Sequence, residues 1–537
     1  MRTKIVYLIA GLVLLINCNV FSQVVIQRVH LINNIDAGFQ NTGIFNQNTE
    51  SANSPGFMWP LGSGRYAIFT TGLCIGAGIN GQYAQSMASY KGEFGPGYIS
   101  GGTPITNANF KLYKISRGDN ATNNPDYANW YLMIPYGAPW IDVNHNGQYD
   151  AGVDSIGIRN ALQVIFLCMT DGFPDTHSPG EGFGGGITSP LMKSQITWTS
   201  WCYDRNDIKD VQFTKWSIIN KGTQRWDSVY FSLVCDPDLG DANDDYIGCD
   251  TLWKLGFCYN ADNMDGNGSP PSYGAAPPAV GMIFHKSPKG LTSFNFFTNT
   301  ASAPPPCESD PNGEPIPAYN MMQGLKKDRS NFMNPLTNPP SPTKFVYTGD
   351  PETNYGWTES KGSIQNCGGN TGTYISVNPA GDRRFIISSG ANNYSVNAND
   401  TVTIIASQLI ARGTSNKNSV TKLKYLASVA WSVYNSGFSV GIQKISTSIP
   451  SEYSLSQNCP NPFNPATKIK FAIISSSNVK ITVYDLTGKE VQTLVNERLQ
   501  AGTYETTFEC SALTSGVYFY RLQVEGFTET RKMMLIK

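Results

Sequence analysis

Tyr453-Ser-Leu-Ser-Gln-Asn-Cys-Pro-Asn-Pro-Phe-Asn-Pro465 is the stretch around which the chain is read. Behind it runs a ladder of short segments: Lys468-Ile-Lys-Phe-Ala472, Val479-Lys-Ile-Thr-Val-Tyr484, Gly502-Thr-Tyr-Glu-Thr-Thr-Phe508, Gly516-Val-Tyr-Phe-Tyr-Arg-Leu522 and Lys532-Met-Met-Leu-Ile536. Apolar and polar residues alternate along them, which is the period of a half-buried antiparallel sheet, and Asp485-Leu-Thr-Gly488 and Ala501-Gly502 punctuate them as turns. The pattern predicts a small β-sandwich at the C-terminus.

The same residues carry a family resemblance. Pro460-Asn-Pro-Phe463, Val483-Tyr-Asp-Leu-Thr-Gly488, Ala501-Gly-Thr-Tyr504 and Gly516-Val-Tyr-Phe-Tyr520 resemble the type A C-terminal sorting domain of cargo exported by the type IX (Por) secretion system of Gram-negative bacteria. The resemblance covers residues 453–537 and implies an immunoglobulin-like β-sandwich recognised by the outer-membrane machinery. It places the motif on Pro460, Asn461, Pro462, Phe463, Gly488, Gly502, Tyr504, Gly516, Tyr518, Tyr520 and Lys532. It also implies cleavage near the preceding linker, then attachment of the body to surface lipopolysaccharide or its release. Cys459 and Cys510 stand where the family more usually has Tyr and a small residue, and a bridge between them would tie the first loop to a late strand.

The N-terminus points the same way. Arg2 and Lys4, the apolar run from Ile5 to Ile16 and Val20-Phe-Ser22 before Gln23 form the charged, apolar and small-residue regions of a secretory signal peptide over 1–22. A lipidated Cys18 is the weaker alternative. Removing residues 1–22 leaves 37 basic against 40 acidic residues. A nearly neutral chain argues against a nucleic-acid groove or a polybasic membrane surface. Ten cysteines remain after Cys18, an even number that favours disulfides in an exported protein; there is no Cys-x-x-Cys pair, and the four histidines are scattered, which disfavours structural zinc.

With 12% aromatic residues, 52 Gly and 32 Pro, residues 23–444 read as a β-rich ectodomain, of one unit or of two divided near 235 and 236. Asn160-Ala-Leu-Gln-Val-Ile-Phe-Leu-Cys-Met169 is apolar enough for a core strand. Val211–Asn220 and Ser228–Val234 are expected to be neighbouring antiparallel strands, and Arg384–Ser388 with Asp400–Ile410 a second pair. Gly72-Leu-Cys-Ile-Gly-Ala-Gly-Ile-Asn-Gly81 lacks the ending of a phosphate loop and reads as turns and close strand packing. The prolines of 301–344 mark a surface excursion. One helix is expected near Ser419–Asn435, with Leu423, Leu426, Ala427, Ala430, Val433 and Tyr434 on its buried face and Gly437 to stop it. Residues 445–452 read as the linker. The body also resembles, more loosely, uncharacterised ectodomains that precede the same sorting domain, through Asp236-Pro-Asp-Leu-Gly-Asp-Ala-Asn-Asp-Asp245 and Gly381-Asp-Arg-Arg-Phe385.

Two clusters have the chemistry to hold a hard cation. In Asp142-Val-Asn-His-Asn-Gly-Gln-Tyr-Asp-Ala-Gly-Val-Asp154, oxygen donors fall at loop positions 1, 3, 5 and 9, with Gly147 at the tight turn. Asp142, Asn144, Asn146 and Asp150 would offer side-chain oxygens, Gln148 its backbone carbonyl, and Asp154 a carboxylate one place later than an EF-hand requires. Calcium suits this set; an ion-free Asx turn is the other reading. The second cluster is Asp236, Asp238, Asp241, Asp244 and Asp245, carboxylates that repel unless solvated or neutralised by a cation.

Enzyme signals are sparse. There is no His-Glu-x-x-His; His177 near Asp171 and Asp175 is a general-base arrangement, or a surface histidine. Trp198, Trp201, Trp216 and Trp226 could form a sugar platform but at strand spacing are more often core. No catalytic residue and no organic cofactor is assigned. The sequence predicts an all-β protein with minor helix, a large β-sandwich-type ectodomain followed by the sorting domain. Its expected role is that of a calcium-stabilised structural or adhesive protein; a secreted hydrolase of polysaccharide or protein and a non-catalytic carbohydrate- or matrix-binding protein are the alternatives.

Overall fold

The computed structural model describes residues 26–48, 54–144, 146–177, 189–299, 306–364, 366–369, 375–376, 379–435, 437–438, 442–446, 448–464, 466–509 and 513–536. The expected signal peptide and Cys510 lie outside them. The body is built on two antiparallel sheets. In the first, the strands run in the order Ser293–Thr298, Arg383–Gly390, Asp227–Asp236, Thr70–Ile79, Ile44–Phe45, Asp36–Gln40, Phe57–Met58 and Tyr66–Ile68. In the second the order is Tyr113–Ser116, Gln163–Thr170, Ser194–Cys202, Val211–Asn220, Thr401–Ala411, Ala279–Lys286, Leu255–Asn260 and Asp245–Asp250. Both sheets take strands from before and after residue 236.

The second sheet is covered on both faces, and this explains its sequence. In the strand Gln163–Thr170, Ile165, Leu167 and Met169 join the core between the sheets, while Val164, Phe166 and Cys168 join a second core on the opposite face. A strand buried on both sides needs apolar residues at every position. The tryptophans divide in the same way. Trp198 lies opposite Trp216 across the ladder, their rings stacked at 6.2 Å, in the inter-sheet core, whereas Trp201 belongs to the outer one. Trp198, Trp201, Trp216 and Trp226 are all buried, so none offers a sugar platform.

The helix Asn416–Asn435 closes the outer core, burying Leu423, Ala427, Ala430 and Val433 against the second sheet. Leu423 reaches the strand Ala279–Lys286 at Gly281, where a Cβ would come within 3.3 Å of its Cδ2. The glycine-rich segment is one strand, Thr70–Ile79, and a Cβ on Gly72 would collide with the Ala88 carbonyl oxygen at 1.9 Å.

Three expectations are corrected. Val211–Asn220 and Asp227–Asp236 do not pair with each other, and neither do Arg383–Gly390 and Thr401–Ala411; in each case the chain crosses from one sheet to the other. The proline-rich region is not merely a surface excursion, because it contains the helix Pro315–Met322, whose Met321 and Met322 pack with Cys74, Met87 and Ile386 on the outer face of the first sheet. The cysteines form one bridge among the described residues, Cys307–Cys367. Cys74, Cys168, Cys202, Cys235, Cys249 and Cys258 are buried thiols that pack as small apolar side chains, and burial pushes those of Cys168 and Cys202 up to about 12.

The C-terminal unit consists of two four-stranded sheets over one core. One is ordered Ile442–Ser446, Gly502–Glu509, Ala466–Ile473, Ser454–Leu455; the other Glu490–Leu499, Ser477–Tyr484, Gly516–Val524, Phe527–Leu535. Ile469, Phe471 and Phe508 of the first meet Ile481, Tyr520 and Met533 of the second. The strand Ile442–Ser446 lies across the expected boundary at 444 and 445, as the edge of this sandwich.

Candidate functional site

A groove of about 2830 Å³ is cut into the body. Its walls come from the first sheet and from loops 102–111 and 172–176, which adjoin the second, and they mix amide and hydroxyl groups (Gln47, Thr103, Thr176) with rings (Phe69, Phe110, Phe173). Arg28, Lys91, Lys111, Asp175 and Lys193 also line the groove, and a further charged cluster enters the wall where two strands of the first sheet end together. Cys235 pairs with Phe385, so Asp236, at the end of the strand Asp227–Asp236, comes level with Arg384, near the start of Arg383–Gly390. Asp238 and Asp382 flank this crossing.

Arg384 organises the cluster. Its Nε donates to Tyr90 Oη at 2.6 Å and lies 3.2 Å from Asp236 Oδ1, and its Nη1 is 2.6 Å from Asp382 Oδ1. Tyr90 in turn donates to Asp236 Oδ2 at 2.6 Å. Asp236, Asp238 and Asp382 each present one carboxylate oxygen within 4.8 Å of the others. Burial, only partly offset by Arg384, pushes the carboxyl of Asp236 up to about 7, and burial with the nearby Asp236 pushes Asp238 well up. Arg383 faces away, its Nε 2.8 Å from Glu359 Oε1 in a buried ion pair that anchors the strand beneath the site.

The acidic run seen in the sequence therefore divides. Asp236 and Asp238 join the groove, with Asp382 as a third carboxylate. Asp241 caps a short turn by accepting from the Asn243 N–H at 3.1 Å. Asp244 accepts from Asn260 Nδ2 at 2.6 Å, and burial raises its carboxyl to about 6. Asp245 is fully buried, accepts from the Leu239 N–H at 3.1 Å and is pushed well up by burial. Asp382, Arg384 and Tyr90 were missed as site residues; Gly381-Asp-Arg-Arg-Phe385 was conspicuous in the sequence, but nothing local tied it to Asp236.

The loop 142–154 brings its oxygen donors together by local bonds. Asp142 accepts from the N–H groups of Asn146 at 3.2 Å and Gly147 at 2.8 Å, and Asp150 Oδ2 accepts from the amides of Asn144 at 2.8 Å and Asn146 at 2.6 Å. Asn146 Oδ1 accepts from the Gln148 N–H at 2.8 Å; Asp154 closes the loop by accepting from Val143 and Asp150, both at 2.8 Å. Gly147 turns the chain at φ +77. These are the bonds of an Asx-type turn, and Asp142, Asp150 and Asp154 do not bring three carboxylate oxygens within 4.8 Å of one another.

His177 lies 4.0 Å from Asp171 but forms no base pair of the catalytic kind. Asp171 is fully engaged, accepting from Met192 N–H, Ser194 N–H, Ser194 Oγ and Ser86 Oγ. The stretch Gly437-Phe-Ser-Val-Gly441 has nucleophile-elbow spacing but follows the helix Asn416–Asn435 instead of leading into one, and residues 439–441 lie outside the described residues.

In the C-terminal sandwich the proline motif is a clasp. Tyr520 Oη accepts from the Asn458 N–H at 2.8 Å and donates to the Ser456 carbonyl at 2.7 Å; Asn458 Nδ2 reaches the Pro460 carbonyl at 3.1 Å and Thr467 Oγ1 at 3.0 Å. Phe463 is buried, and its N–H donates to the Met534 carbonyl at 2.9 Å, while Asn461 Oδ1 accepts from the Met534 N–H at 2.9 Å. Tyr504 and Tyr518 each return a hydroxyl to the carbonyl four residues back, at 2.7 and 2.9 Å, and Gly488 turns the Asp485 loop at φ +80. Gly502 and Gly516 begin strands, and Lys532 is exposed on the last one. The partnership of Cys459, which is exposed, with Cys510 lies outside the described residues.

The model of the secretion system C-terminal sorting domain matches residues 459–537. The chain is type IX secretion cargo. Its sorting domain engages the export machinery and sends the protein to the cell surface or the extracellular space. Among curated proteins no sequence matches the chain. A solved polysaccharide lyase aligns at 6% identity over 64% of this chain and 34% of its own length, about a third of that protein, with a TM-score of 0.18; a score that low carries no argument. Among the described residues no helix is long and apolar enough to cross a membrane.

Proposed function

We propose that the exported body is an adhesive, matrix-binding protein that holds an extended polysaccharide in its groove. The groove carries this reading. At about 2830 Å³ it is several times larger than the roughly 300–1000 Å³ of a small-molecule pocket. Its mixture of amides, hydroxyls and rings offers hydrogen bonds to sugar hydroxyls and apolar faces to sugar C–H groups. On this reading calcium staples the loop 142–154, and after export the sorting domain is removed and the body is attached to lipopolysaccharide or released. The experiment is retention of the purified protein on insoluble polysaccharides, with reducing ends measured in the same tubes. Retention without turnover is the expected result; absence of retention across neutral and acidic polymers would overturn the reading. Melting with and without chelator, in wild type and Asp150→Asn, tests the staple: chelator should lower the wild-type Tm and leave the variant unchanged.

A second reading rests on one observation. Burial raises the carboxyl of Asp236 to about 7, the direction a glycosidase's general acid needs, with the carboxyl groups of Asp238 and Asp382 close by. Turnover abolished by Asp236→Asn would favour a hydrolase over an adhesin.

A further inference from the structure

The proline-rich region encloses a reactive set that neither the groove nor the sorting domain uses. The Cys307–Cys367 bridge joins segments 60 residues apart, and so gathers their neighbours Glu308 and Asn366 beneath it. Lys326, shortly after the helix Pro315–Met322, reaches in between them. Its Nζ lies 2.6 Å from Glu308 Oε1 and 2.6 Å from Asn366 Oδ1, with the Ile364 carbonyl at 3.5 Å and the Phe332 ring centroid at 5.3 Å. Lys326, Glu308 and Asn366 are 0%, 1% and 3% exposed. Lysine is seldom buried so fully, and a pair of buried charges offsets its desolvation only with well-aligned hydrogen bonds. Here the alignment is wanting: Nζ is close to Oε1, yet neither Glu308 oxygen accepts an aligned hydrogen bond. The nearby Glu359–Arg383 pair is matched within itself and adds no net charge.

This set has the chemistry of amide transfer. A lysine amine is a nucleophile once it loses its proton, and burial pushes the Glu308 carboxyl up against the opposing pull of Lys326, which makes it a ready acceptor. Asn366 is oriented for attack. Its Nδ2 donates to the Asn331 carbonyl at 2.8 Å, which turns Oδ1, and Cγ with it, toward Nζ. Amine and amide held in contact, with water shut out, have the proximity that separate molecules lack.

We propose that Lys326 and Asn366 join through an isopeptide bond that the protein forms itself, with Glu308 as proton carrier and ammonia as leaving group. Lys326 gives one ammonium proton to Glu308, and the Nζ lone pair forms a bond to Asn366 Cγ as the carbonyl electrons move onto Oδ1. Glu308 passes its proton to Nδ2 and takes a second one from Nζ. The carbonyl re-forms, the Cγ–Nδ2 bond breaks and ammonia departs. A neutral amide and a neutral carboxylic acid then replace the buried ion pair, and no oxidant or co-reactant enters. The bond closes the segment 326–366 beside the disulfide, but unlike the disulfide it survives reduction. It is independent of what the groove binds.

The test is peptide mapping of the full chain. The purified protein is reduced, alkylated and digested, because the Cys307–Cys367 bridge would otherwise join the same peptides. A branched peptide linking Lys326 to Asn366, lighter than its two components by one ammonia, is expected. Fragmentation locates the link, which distinguishes it from cyclisation of Gln23 or of Asn366 onto its own backbone, changes that lose the same mass. Separate, unmodified Lys326 and Asn366 peptides from folded wild-type protein would overturn the proposal. Lys326→Met and Asn366→Ala should abolish the branched peptide. Glu308→Gln, verified as folded by near-UV circular dichroism, should lower its yield by about tenfold or more. Full yield in that folded variant would overturn the proton-carrier role and leave the bond standing. The wild-type map decides the bond whether or not a variant folds.

Discussion

His285 shows how one buried side chain fixes a pH response. Its ring stacks on Tyr434 at 5.2 Å, meets Trp431 edge-on at 4.8 Å and places Nε2 2.9 Å from Ser407 Oγ. Burial, helped by Lys254, pushes its pKa down to about 3. The unfolded chain takes up a proton near pH 6.5 that the folded chain refuses until about 3, so the contribution is fully present above 6.5 and is lost as pH falls through that window. The slope should be about 1.4 kcal/mol per pH unit from this residue. Urea denaturation between pH 6.5 and 5 should show it in the wild type and show a flatter slope in His285→Phe; equal slopes would refute it. Residues at this scale were only partly legible. Asp236 and Asp238 stand out in the sequence as carboxylates in need of neutralisation, but Arg384 and Asp382 reach them only because two strands almost 150 residues apart pair in one register. Local pattern contains no record of that pairing.

At the scale of elements, legibility followed how local the cause was. The helix Asn416–Asn435 was visible because Leu423, Ala427 and Ala430 repeat at its own period, and the strand Gln163–Thr170 because burial on both faces removes polar positions. Which sheet a strand joins was not visible: a short connection serves a hairpin and a crossing between sheets equally well, and Val211–Asn220 with Asp227–Asp236 took the second course. Five strands of the C-terminal ladder were legible because a half-buried strand alternates and its turns carry Gly488 and Gly502, whereas the edge strands Glu490–Leu499 and Ile442–Ser446 were missed. There the clasp makes an energetic prediction. Tyr520→Phe keeps the ring but removes the oxygen that serves both the Asn458 N–H and the Ser456 carbonyl. Two inward backbone groups lose their partner, a cost of about 1–3 kcal/mol. The sorting domain's unfolding transition should shift down accordingly, and amide exchange at Asn458 should accelerate; an unchanged transition would mean that water replaces the hydroxyl without penalty.

At the scale of the molecule, address and cargo are separable in their cores. The sorting domain's core begins at Tyr453, and the body's cores extend no further than Phe438. Where the chain is cut matters, because Ile442–Ser446 is an edge strand on Gly502–Glu509 and would be left unpaired by truncation after residue 450. An orphaned strand exposes a row of unpaired backbone groups and invites association. Removal of 442–537 should therefore leave a body that folds with its melting temperature within a few degrees of the full chain's body transition. Removal of only 451–537 should give the same fold with more aggregation. Neither protein should leave the periplasm, since both lack the domain that the export machinery reads. Fractionation of expressing cells, with light scattering on the purified truncations, measures all three outcomes. Surface delivery of either truncation would show that the body carries an export signal of its own, and collapse of the shorter body would show that the two cores depend on each other.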